Sequence, residues 1–188
     1  MRKKLAVLIS GRGSNMEAIM AACQDPEYPA EIALVISDNQ QAMGLETALE
    51  ADIPAFAFVR QDFASKQEHE ASIVEQIDFH GIDLICLAGF MRILSAEFTR
   101  RYADRLINIH PSLLPKFKGL DTHTRAIEAG ETEHGCTIHY VNEEMDGGKV
   151  IAQTRIEILP DDTPESLAGR VLVEEHKLYP KVIGNLCG

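Results

Sequence analysis

No run of 18 or so consecutive apolar residues occurs in this chain, so it lacks the segment that a membrane-spanning helix requires. The opening Met1-Arg2-Lys3-Lys4 leads into a short apolar run that ends at Gly11, too brief for a secretory signal. Cysteine is sparse: Cys23, Cys86, Cys136 and Cys187 are scattered and form no C-x-x-C pair. That pattern excludes a disulfide scaffold and points to reduced, mostly buried thiols in a cytoplasmic protein. Positive charge is also short, with 18 Lys+Arg against 29 Asp+Glu and a net charge of -11. Such a balance opposes a long nucleic-acid footprint. It leaves room for one small anion, because a pocket is not the net field. Repeats, low-complexity tracts and Pro/Gly/Ser linkers are absent, so residues 1–188 are expected to form one domain. A chain of that length buries roughly 70% of the surface it exposes when unfolded, enough for a core without staples.

What is present reads as alternating strands and helices. Leu5 to Ile9 is a continuous apolar run, as in a strand buried on both faces. Ser14 to Cys23 places Met16, Ile19, Met20 and Cys23 at helical spacing. Glu31–Ser37, Ala55–Val59, Asp83–Ala88 and Leu106-Ile107 read as further strands. Helices are expected over roughly 42–51 and 63–80. This alternation predicts a mostly parallel sheet covered on both faces. From Cys136 the texture changes. Thr137–Val141 and Val150–Ile156 flank Met145-Asp146-Gly147-Gly148, a turn signal that predicts antiparallel strands. Thr163-Pro164-Glu165 marks a helix start, and the helix is expected to end near Tyr179, before Pro180.

Ligands of open α/β sheets lie at the carboxyl ends of the strands, and three unusual segments fall there. Gly11-Arg12-Gly13-Ser14-Asn15 joins a buried strand to a helix whose N-terminus favours an anion. The alternative is a tight turn with Ser14 as the cap. Position 16 is Met16 rather than the third glycine of a dinucleotide fingerprint, so Asp38, placed as a ribose-binding acid would be, gives no strong nicotinamide signal. Gly89-Phe90-Met91-Arg92-Ile93-Leu94 could line a slot for a flat heteroaromatic ring, or simply begin a core helix with Arg92 solvated. Asn108-Ile109-His110-Pro111 is sharper. Residues two apart on a strand share a face, and Pro111 stops the strand with the pair at its lip. An amide donor beside an imidazole is what an oxyanion from acyl transfer requires. Asp146, if its loop folds back to His110, would favour the imidazolium; otherwise it is only a turn former.

Weaker constellations carry less. His134, Cys136 and His139 lie on both faces of a strand-like segment, and no H-E-x-x-H or C-x-x-C partner accompanies them. Ser112 with His110 and Asp146 has the composition of a hydrolytic triad without the G-x-S-x-G elbow. Glu174-Glu175-His176 reads alone as a solvated helix face.

Taken in order, Ser10–Asn15, Ala88–Leu94, Asn108–Pro115 and Asp146-Gly147-Gly148 resemble the phosphoribosylglycinamide formyltransferase family, folate-dependent enzymes of purine synthesis. The resemblance runs over nearly the whole chain. It implies a single α/β domain with a mostly parallel twisted sheet of about seven strands, helices on both faces and an antiparallel C-terminal portion. It implies 10-formyltetrahydrofolate as co-substrate and phosphoribosylglycinamide as acceptor, no metal and no acyl-enzyme, in a cytoplasmic monomer or homodimer. By resemblance Asn108, His110 and Asp146 are catalytic. Gly13, Ser14, Asn15 and Glu175 hold the acceptor substrate. Lys66, Met91, Arg92, Ile93, Leu94 and Asn142 contact the folate, as do Asn108 and Asp146. Lys66 keeps the charge of an arginine but not its bidentate fork, and family members continue beyond the equivalent of Gly188. The tRNA-formylating and hydrolytic relatives carry further domains for which this length leaves no room.

Overall fold

A computed structural model describes residues 1–188. The strands are β1 (Lys3–Ile9), β2 (Ala30–Ser37), β3 (Ala55–Ala57), β4 (Leu84–Leu87), β5 (Leu106–His110), β6 (Glu133–Tyr140) and β7 (Val150–Glu157). They form one seven-stranded sheet in the order β3-β2-β1-β4-β5-β6-β7. Pairing is parallel from β3 through β5 and antiparallel for β5–β6 and β6–β7. The helices are α1 (Ser14–Cys23), α2 (Met43–Glu50), α3 (Lys66–His80), α4 (Ala96–Arg101), α5 (Thr122–Glu128) and α6 (Pro164–Cys187). The predicted fold class is the observed one.

The continuous apolar runs explain two cores rather than one. Leu5, Val7 and Ile9 face one layer with Met16, Ile19, Tyr179 and Ile183, while Ala6 and Leu8 face the other with Ile73, Ile77 and Phe98. Each fully buried aliphatic or aromatic side chain contributes roughly 1.5–3 kcal/mol through lost water contact. Strand order reverses between β1 and β4, so their carboxyl ends diverge and open a crevice.

The structure corrects several element bounds. α3 starts at Lys66 because the Ser65 hydroxyl caps Glu68 N–H; Phe63 lies outside it. α4 and α5 occupy stretches to which the sequence assigned no element. α6 does not stop at Tyr179 but continues through Pro180 to Cys187. Proline removes one helical donor, yet Val182 and Ile183 beyond it are buried in the first core, and that burial favours continuing the helix. No helix is long and apolar enough to cross a membrane.

Candidate active site

Three groups of residues meet the crevice. The first is the turn after β1. Gly13 adopts φ 80° as the residue before α1, and a Cβ there would meet the Gly44 Cα at 3.2 Å, so glycine is required twice over. No side chain caps α1, which leaves its first N–H groups to whatever occupies the cleft. Ser10 to Asn15, Ala88, Gly89 and Met91 line that cleft, about 340 Å³ in volume. Across it, Glu175 of α6 accepts a hydrogen bond from Asn15 Nδ2 at 2.7 Å. Glu175 is held over the carboxyl end of β4 because Tyr179, one turn later, donates its hydroxyl to the Leu87 carbonyl at 2.9 Å. Burial pushes the Glu175 carboxyl above its ordinary range, with Asn15 opposing. The Asn15 Oδ1 atom is buried with no partner, ready for a ligand donor.

The second group lies at the carboxyl end of β5. In β5, Ile107 and Ile109 pack into the first core, so Asn108 and His110 face the other side, as the strand period requires. The His110 ring is buried between two acceptors. Its Nε2–H donates to the Phe117 carbonyl at 3.0 Å, and Nδ1 stands 3.5 Å from Asp146 Oδ2. Both ring nitrogens thus face oxygen acceptors, the Phe117 carbonyl and the Asp146 carboxylate. The loop bearing Asp146 therefore does fold back to His110. Asp146 Oδ2 also accepts from Gly119 N–H at 2.8 Å, fixing the Lys116–Gly119 turn.

His139 completes this group, and the sequence reading assigned it no place in the site. β5 and β6 pair in a register that sets Asn108 opposite His139. The His139 Nδ1–H donates to the Tyr140 carbonyl at 3.0 Å, leaving Nε2 to accept from Asn108 Nδ2 at 3.2 Å. Burial holds this imidazole below the usual histidine range, outweighing the Tyr140 carbonyl and Asp146. His139 thus stays neutral and turns the Asn108 amide so that its second N–H is free. The signal was a strand pairing between distant segments, which no local pattern carries.

The third group is an apolar rim. Met91 and Ile93 are exposed, while Leu94 packs on the second core beside Val141. Asn142 accepts Glu144 N–H, and the Arg100–Glu143 ion pair at 3.0 Å ties α4 to that loop. Lys66 begins α3, half exposed and 3.8 Å from Glu70. Arg92, named among the folate contacts, is ion-paired with Asp38.

Elsewhere, His123 Nδ1 of α5 lies 3.1 Å from His134 Nε2 of β6. Burial first, then His123, pushes the His134 imidazole down to about 4, and burial lowers His123 as well. Above the unfolded value near 6.5 both rings are neutral and the contact is intact. As pH falls, the unfolded chain takes up protons before the folded one does, so stability is lost progressively between about 6.5 and 4. The wild-type melting temperature should fall between pH 7 and 5 more than that of His134→Gln. Equal slopes would show that this pair does not couple folding to pH.

A family model described as formyl transferase matches residues 3–183. The chain is similar to the phosphoribosylglycinamide formyltransferase of Haemophilus influenzae, with 48% identity over 181 residues, 96% of this chain and 85% of that protein. It is 46% identical to the trifunctional purine biosynthetic protein adenosine-3 of Drosophila melanogaster over 187 residues, 98% of this chain but 14% of that much longer one. The crystal structure of phosphoribosylglycinamide formyltransferase from Brucella melitensis superposes with a TM-score of 0.96 at 48% identity, covering 100% of this chain and 97% of the other. The chain belongs to the formyl transferase family and, within it, groups with the phosphoribosylglycinamide formyltransferases.

Proposed function

We propose that this chain transfers the formyl group of 10-formyltetrahydrofolate to the amine of N1-(5-phospho-D-ribosyl)glycinamide in purine biosynthesis. The products are the N-formyl compound and tetrahydrofolate. One observation carries the residue assignments: Asn108, His110 and Asp146 meet at the crevice. In the sheet order the exposed apolar segment after β4 stands next to them, and the uncapped start of α1, after β1, one strand further on. The chain's solvent field is net negative, so the sugar phosphate is held by placed donors, the N–H groups of Gly13, Ser14 and Asn15 with Glu175 facing the rest of that substrate. The folate ring takes the slot formed by Met91 to Leu94 and the Asn142 to Asp146 loop, with Lys66 toward its anionic end.

The neutral amine attacks the formyl carbon and a C–N bond forms. The carbonyl electron pair moves onto oxygen, where the free N–H of Asn108 and the His110 imidazolium stabilise it; one such donor is typically worth about 3 kcal/mol. For this the His110 Nε2–H turns from the Phe117 carbonyl to the substrate oxygen. Asp146, beside the ring, relays through a water the proton that leaves the amine for the departing folate nitrogen. Collapse of the intermediate then breaks the bond from the formyl carbon to that nitrogen. Holding both substrates in one crevice supplies the proximity contribution. No step is assigned to a metal or to an acyl-enzyme. Free thiols at all four cysteines suit a reducing cytoplasm.

The test mixes the protein with 10-formyltetrahydrofolate, with and without the glycinamide ribonucleotide, and follows the deformylated folate by absorbance. Turnover that depends on the ribonucleotide is expected. Equal rates without it would make the protein a hydrolase, and no rate with either would make it a binding module.

A further inference from the structure

The segment between β4 and α4 has no regular structure, and Gly89 enters it at φ 76°. Left to itself such a segment would sample many conformations, and a ligand that reads its backbone would have to order it first. It is not left to itself. At its far end the buried carboxylate of Glu70 accepts from both the N–H and the hydroxyl of Ser95. At its near end stands Asp38, 7% exposed, at the carboxyl end of β2. One Asp38 oxygen accepts from the Ser10 hydroxyl and the other from the Arg92 Nε–H, each at 2.5 Å. The Ser10 oxygen in turn accepts the Met91 N–H at 2.8 Å, and Ser10 N–H donates to the Gly89 carbonyl at 3.1 Å.

Both oxygens of Asp38 are therefore used inside the protein, which removes it as a ribose-binding acid. They stitch together the ends of β2 and β1 and the segment after β4, three neighbours in the sheet. The Met91 and Ile93 side chains remain exposed, so what the stitching fixes is the backbone.

We propose that Asp38 is a positioning residue for the formyl donor: through Ser10 and Arg92 it pre-orders the Gly89–Leu94 backbone that receives the folate ring. The inference rests on the function proposed above. Asp38→Asn keeps the size of the side chain but offers one acceptor atom to two donors, so one arm of the clamp is lost. The KM for 10-formyltetrahydrofolate and the Kd of the stable probe 5-formyltetrahydrofolate should both rise about tenfold, the loss expected for one charge-assisted hydrogen bond. The KM for the glycinamide ribonucleotide and kcat should stay within about twofold, a split that a general loss of stability would not produce. Ser10→Ala, which removes the hydroxyl shared by Asp38 and Met91, should raise the same folate KM and Kd; Ser10 also lines the acceptor cleft, so only the folate readouts are taken from this variant. Wild-type protein that fails to bind 5-formyltetrahydrofolate would refute the functional reading itself. Wild-type binding with an unchanged Kd in both variants would overturn the role of Asp38, as would an equal rise of both KM values with a fall in kcat in Asp38→Asn.

Discussion

Asp146→Asn should lower kcat by about 100-fold or more, the range expected when a charge-stabilising or proton-transferring group is removed. The KM for 10-formyltetrahydrofolate should change by no more than a few fold. The reasoning separates the two jobs of this side chain. Its Oδ2 atom accepts the Gly119 N–H at 2.8 Å and also faces His110 Nδ1 at 3.5 Å. An asparagine retains a carbonyl oxygen for Gly119, so the Lys116–Gly119 turn keeps its anchor. What disappears is the negative charge beside His110. The ring then offers a weaker donor to the developing oxyanion, and the relay loses its acceptor. Substrate contacts elsewhere in the crevice are untouched, so the loss falls on the transition state rather than on binding. Steady-state kinetics with each substrate varied separately check this. Unchanged turnover would remove Asp146 from the mechanism.

Such a prediction could be framed from the amino-acid order, because Asp146-Gly147-Gly148 announced a turn and Asn108-Ile109-His110-Pro111 announced a strand lip. Signals of this kind are local: a buried run such as Leu5–Ile9 or a proline after a histidine constrains its own few residues. What stayed hidden was long-range. His139 was visible only as an unpromising metal ligand, since its use depends on the β5–β6 register that places it opposite Asn108. Asp38 looked like a ribose acid, and only the fold shows both its oxygens committed to Ser10 and Arg92. Short α4 and α5, with their six and seven residues, present too few turns for a periodic stripe to stand out. Pro180 gave a true local signal that tertiary burial of Val182 and Ile183 overrode.

Gly148→Ala should cost activity at least as much as Asp146→Asn, about 100-fold in kcat on the same grounds, although it removes no functional group. A Cβ at position 148 would lie 1.6 Å from the Tyr140 carbonyl oxygen and 2.7 Å from its carbon. Both are backbone atoms at the end of β6, so no side-chain rotation can relieve the overlap, and one strand end must move. Tyr140 N–H donates to the Lys149 carbonyl at 2.9 Å, so the separation also pulls on the first pairing of β6 with the returning chain. The Tyr140 carbonyl is the group that takes the His139 Nδ1–H and so leaves Nε2 for Asn108. Displacing it frees the His139 ring to turn, and the Asn108 amide loses the partner that aims it. On the other side of the same glycine the chain carries Asp146, whose αL conformation at φ 50° depends on the loop being closed. One methyl group therefore disturbs the aim of Asn108 and the reach of Asp146 toward His110 together. Tyr140 and Val141 only border the two large hydrophobic clusters, whose buried members on β1, β2 and β4 should hold the fold. Circular dichroism should report native secondary structure while kcat collapses, and the folate KM should rise too because Asn142 shares the loop. A variant with near-normal kcat would show that the loop adapts without Asp146 leaving His110.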